Sequence, residues 1–152
     1  MTIAAHNDLA RILGTSIAPI AVRLHESLET FRMATGRPWW VNSVSEGTTI
    51  ELAPAALLAQ REGLGKALRV AVADLLVADA LKGRPLWVRV GAARYFSDAA
   101  PATPNPSARL RCPADAELTL AISAPAQRDA ETRAVACFAR EFAKTKDWRA
   151  VR

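Results

Sequence analysis

The sequence is poor in several residue types, and each shortage removes a class of function. It has two histidines, His6 and His25, and two cysteines, Cys112 and Cys137. None stands at zinc-ligand spacing from another, so no local metal motif is present. Its seven glycines form neither a phosphate-binding loop nor a dinucleotide fingerprint, and there is no G-x-S-x-G elbow. No apolar run reaches the roughly 18–20 residues that cross a bilayer, so no membrane partner is expected. The opening residues, MTIAAHNDLAR, lack a basic segment followed by an apolar one. No signal peptide is expected from them, and the compartment stays open. Basic runs are missing too. Twenty Lys and Arg against fifteen Asp and Glu give a net charge of +5, but the arginines are scattered and no aromatic-and-basic stripe accompanies them. The expectation is a basic, solvated surface without a nucleic-acid partner.

What is present is an ordinary globular composition. Of the 152 residues, 51% are hydrophobic and 23% charged. That suits one domain over residues 1–152 with a sizeable core. Residues 7–14 read as a short helix or ordered arm. IAVRLHES reads as a strand with Ile20, Val22 and Leu24 on its core face. Ser27 caps a helix over 28–35 that Gly36 ends. RPWWVNSVSEGTTIEL reads as two strands around a turn at Glu46-Gly47. Pro54 opens a short helix to Gln60. A central helix follows over 64–81, with Gly83 as its cap and Pro85 barring continuation. A second helix covers 86–96. Residues 97–113 hold four of the nine prolines and read as a surface loop. AELTLAIS reads as irregular or extended. A last helix over 125–144 places Ala134, Phe138 and Phe142 on one face. The expected fold class is α+β: a small, mainly antiparallel sheet, then a helical part around a central buried helix. Cys112 and Cys137 form either a disulfide clamping the loop to the last helix or two buried thiols. A disulfide would imply an oxidising compartment.

The central helix, GKALRVAVADLLVADAL, is apolar nearly all round, yet Asp74 sits in its middle. Arg69, five residues away, lies on a different face. A buried carboxylate either finds a donor or stays protonated. Arg89 or Arg94 on the next helix could supply that donor.

TFRMATGRPWW, then GTTIEL, then LGKALRVAVADLLVADALKGRPLWVRVGAARYF is similar to a family of small bacterial zinc metallopeptidase-like domains of the gluzincin (peptidase MA-like) type. The resemblance runs from about residue 20 to about 96 and continues through RCPADAEL and AVACFAREFAKTKDWRAVR. In that family the central helix carries H-E-x-x-H. Two histidines bind zinc and the Glu is the general base. A Glu at the start of the next helix is the third ligand. The resemblance puts the first His at Val70, the Glu at Ala71, the second His at Asp74 and the third ligand at Val90. All four are replaced, so no metal, no cofactor and no zinc-dependent hydrolysis are expected. His6 and His25 are expected at the surface or a strand edge. Members of such families are usually exported.

The replacements run from polar to apolar while the flanks keep the family pattern. That points to a repurposed site, natural or engineered. One expectation is a pseudoenzyme whose apolar pocket holds a small apolar molecule or a peptide, lined by Val70, Ala71, Val77, Trp87, Val90, Arg94 and Tyr95. The other is an enzyme in which Val70, Val77 and Val90 desolvate Asp74 into a general base. It would abstract a proton from a small activated aromatic, with Trp39, Trp40, Trp87 or Tyr95 stacking on it. Oligomeric state is left open.

Overall fold

The computed structural model describes residues 2–15, 19–97 and 109–152. The proline-rich loop expected over 97–113 falls mostly on 98–108, outside the described residues. The chain forms two compact units, Met1–Leu76 and Val77–Arg152. The division falls inside the central helix.

The first unit holds α1 (Thr2–Leu13), β1 (Ala21–Leu24), α2 (Leu28–Thr35), β2 (Ser43–Glu46), β3 (Thr49–Leu52), α3 (Ala55–Ala59) and most of α4 (Leu64–Ala78). Helix α1 is longer than its sequence pattern suggests. Ala5, Leu9 and Leu13 recur one turn apart, and all three are buried, so one apolar stripe sustains it. Helix α2 has local signals at both ends. The Ser27 hydroxyl accepts from the Thr30 amide at 3.1 Å. Gly36 takes a left-handed φ of 66° and returns its N–H to the Arg32 carbonyl, a conformation glycine adopts without a Cβ clash.

The three strands lie in the order β1-β3-β2. The sheet is mixed rather than mainly antiparallel. β2 pairs antiparallel with β3, and β1 pairs parallel with it in a register of Val22 with Ile50 and Leu24 with Leu52. Side chains alternate between faces, so Val22, Leu24, Ile50, Leu52 and Ser45 share one. Ser45 donates its hydroxyl to the Ala71 carbonyl of α4 at 3.2 Å, which puts α4 on that face. Ile50 and Leu52 are fully buried there, but Val22 is 37% and Leu24 45% exposed. The expected core face of β1 is therefore corrected. The alternation was real, but β1 is an edge strand, and its apolar row runs out beyond the buried part of the sheet.

His25, Arg23 and Glu51 occupy the opposite face, where Phe31 of α2 packs edge-on to the His25 ring. His25 follows directly on the edge strand β1, but it is not at the surface. It is buried, with Nε2 2.5 Å from Glu51 Oε2. A carboxylate beside it satisfies its ring and makes burial tolerable.

The second unit holds the end of α4, then α5 (Leu86–Ser97), α6 (Asp115–Thr119), α7 (Ala124–Thr145) and a 3-10 turn at Trp148–Ala150. Helix α4 stops at Ala78 rather than 81. One further helical bond, Leu81 N–H to Val77 carbonyl, leads into the turn before Gly83. α5 begins where Asp115 accepts the Leu86 N–H at 2.8 Å, a cap supplied from far along the chain.

Helices α5 and α7 pack closely at Gly91. A Cβ there would lie 2.5 Å from the Ala134 carbonyl oxygen and 2.6 Å from Phe138 Cβ. Tyr95, Phe96, Phe138, Phe142 and Trp148 form an aromatic cluster with ring centroids 5.2–6.5 Å apart. That spacing suits edge-to-face and stacked pairs. AELTLAIS is not extended, because residues 115–119 form α6. Its Glu117 carboxylate accepts from the Ala114 N–H, twice from Arg111 and once from Arg133 of α7. The Ala114 contact ties the carboxylate back to the start of the helix, and the two arginines hold it there. Cys112 and Cys137 are joined by a disulfide, with Cα atoms 5.7 Å apart. The fold class is α+β.

Candidate functional site

The positions singled out in the sequence lie on two helices. On α4, Val70 and Asp74 are one turn apart and half-buried, Ala71 is buried, and Val77 is buried beyond them. Arg69 turns to another side of the helix and donates to Asp8 of α1 at 3.0 Å. Asp8 also accepts from Arg11 at 2.8 Å. Asp74 does not stand without a partner. Its half-burial leaves it partly in water, which is less drying than the sealed apolar surroundings that the general-base reading assumes.

The first unit also brings β2 to this stretch of α4. The Ser45 contact lands on the carbonyl of Ala71, the position where the resemblance puts the general base. β2 is an outer strand of the sheet, so one of its backbone edges is not used by β3. An extended segment could pair with such an edge.

Immediately before β2 lies a second group of side chains. Arg61 sits over the Trp39 ring at 5.5 Å from its centroid. It donates to the Trp39 carbonyl at 2.7 Å and to Asn42 Oδ1 at 2.8 Å, and Asn42 donates to Glu62 at 2.6 Å. Burial lowers the Arg61 pKa from its ordinary value, and Glu62 partly opposes this. Trp39 is half exposed and edge-on to Trp40. The Trp40 indole N–H is buried without a hydrogen-bond partner among the described residues.

In the second unit the proposed lining residues fall on α5. Trp87 is buried and Val90 half-buried. Arg94 pairs with Glu131 of α7 at 2.7 Å. Tyr95 lies 5.6 Å from Phe138 and 5.7 Å from Phe142, so its ring helps to hold α5 on α7.

Zinc does not fit the residues present. Val70, Ala71 and Val90 carry no donor atom. Among the described residues no three His, Cys, Asp or Glu side chains gather to hold a metal ion. His25 is engaged with Glu51. His6, on α1, has its Nε2 buried without a hydrogen-bond partner among the described residues. Sequence reasoning missed the Ser45–Ala71 contact, since strand alternation says which residues share a face but not which helix lies on it. It also missed the His25–Glu51 pair, whose members are 26 residues apart.

Comparisons with protein families, with curated proteins and with solved structures find no match to this chain.

Proposed function

We propose that the chain is a metal-free metallopeptidase-like domain, not a peptidase, that binds a peptide in extended form along the open edge of β2 beside α4. The observation that carries this reading is the hydrogen bond from Ser45 on β2 to the Ala71 carbonyl. It sets an outer strand against the helix stretch that the resemblance matches to H-E-x-x-H. Backbone pairing to the strand edge supplies affinity, and side chains on alternate positions of the ligand supply selectivity. Val70 and Ala71 give that part of α4 an apolar surface without donor atoms for a metal. The disulfide supports an oxidising compartment for the folded chain.

The test combines metal analysis with peptide binding. Protein incubated with zinc and then dialysed is expected to hold no stoichiometric metal. An extended apolar peptide is expected to shift the backbone amide signals of residues 43–46 and of α4. Asp74→Asn is expected to leave that affinity largely intact. One zinc per chain together with peptide cleavage would overturn the reading. So would proton abstraction from an activated aromatic that Asp74→Asn abolishes, since Asp74 would then be a general base.

A further inference from the structure

A groove of about 570 Å³ runs along α2, lined by Leu28, Glu29, Arg32, Met33, Gly36 and Arg37. None of these residues belongs to α4 or to the sheet, so the groove is separate from the peptide edge described above.

Two features set it apart within the first unit. The first is charge. Arg11 and Arg69 pair with Asp8, Arg23 pairs with Glu51, and Arg61 bonds to Asn42. Arg32 and Arg37 are the unit's other two arginines, and they have no such partner among the described residues. Both line the groove. The second is apolar exposure. Met33 is 80% exposed, the highest value among the unit's large exposed apolar side chains, and the half-buried Leu28 lines the groove too. Two unpaired guanidinium forks around an exposed, conformationally adaptable thioether match a ligand with carboxylates and an aliphatic side chain.

We propose that this groove docks an acidic peptide segment, whose carboxylates meet Arg32 and Arg37 and whose aliphatic anchor packs on Leu28 and Met33. A nucleic acid suits the groove less well. No aromatic side chain is there for a base to stack on, whereas Leu28 and Met33 offer an aliphatic anchor a seat.

The test uses the full chain and a fluorescein-labelled peptide of alternating glutamate and leucine. A matching lysine-leucine peptide and a labelled single-stranded oligothymidylate serve as the alternatives. Saturable binding of the acidic peptide is expected, weakening with added salt. Arg32→Ala or Arg37→Ala is expected to weaken it about tenfold, the loss of one charge-assisted contact. The charge-reversed double variant Arg32→Glu/Arg37→Glu is expected to prefer the lysine peptide. That gain of binding also shows that the variant is folded. The proposal fails if the acidic peptide does not saturate, if both peptides bind alike, or if the oligothymidylate binds more tightly. It fails equally if the single variants bind as the parent does. A dimer in sedimentation that Met33→Glu converts to monomer would assign the groove to a second copy of the chain and overturn the proposal.

Discussion

Two residues carry more of the fold than their types suggest. Gly91 lies inside α5, where glycine costs helix stability relative to alanine. Its value is closeness, because the Ala134 carbonyl and Phe138 stand where a side chain would begin. Gly91→Ala is expected to destabilise the protein by about 1–3 kcal/mol through overpacking, more than the helix preference of alanine returns. Urea unfolding checks this, and a stability equal to the parent's would show that α7 can give way. His25 is the other. Removing its ring by His25→Leu leaves Glu51 largely buried, with Arg23 3.5 Å away. A loss of about 1–3 kcal/mol is expected for the stranded carboxylate. The double variant His25→Leu/Glu51→Leu is expected to recover part of it, because no buried charge is left behind and Arg23 is exposed. No recovery would mean that the pair contributes more than mutual satisfaction. Little of this was visible in the sequence. The glycine after WVRV does not name its neighbour, and nothing near His25 in sequence names Glu51.

At the scale of elements, local signals were read well and contacts between elements were not. Ser27 and Gly36 bound α2 because caps act within a few residues. Pro85 and Gly83 separate α4 from α5 for the same reason. Helix α6 was missed, since the Glu117 carboxylate that accepts the Ala114 N–H is itself held by Arg133, 16 residues further on. The Cys112–Cys137 disulfide closes a loop of sequence separation 25 around α6. Converting both cysteines to serine is expected to cost about 3 kcal/mol, by freeing the unfolded chain. Loss of α6 protection in hydrogen exchange is expected to precede global unfolding. Equal protection in the reduced and oxidised protein would show that Glu117 and its arginines suffice without the bond.

For the molecule as a whole, charge is divided unevenly. Residues 77–152 contain thirteen basic and eight acidic side chains, so the entire net charge of +5 lies in that half. Its carboxylates are in demand. Hydrogen bonds from Arg111, then from the Ala114 amide and Arg133, hold Glu117 well below the usual carboxylate range. Lys144 and then Arg140 lower Glu141. A carboxylate whose folded-state pKa is depressed stabilises the fold above its unfolded value of about 4.3. That contribution is lost as pH falls through the lower folded value. The urea midpoint is therefore expected to drop between neutral pH and about pH 3. Exposure keeps the effect modest. Glu117→Gln is expected to flatten this drop, and an unchanged profile would place the acid sensitivity elsewhere.

The sequence by itself determined most of the helices, the short strands and the α+β class, though not α6 or the full length of α1. Periodicity, caps and turn residues act over a few positions, and the chain states them directly. It also places valine or alanine, which carry no side-chain ligand atoms, at positions 70, 71 and 90. The tertiary structure alone decided what those positions touch. It left β1 as an exposed edge, set Ser45 against Ala71, buried His25 on Glu51, gave Arg94 to Glu131 and drew Tyr95 into the aromatic cluster. Each of these depends on residues far apart in sequence meeting at one surface, and no local pattern encodes which surfaces meet.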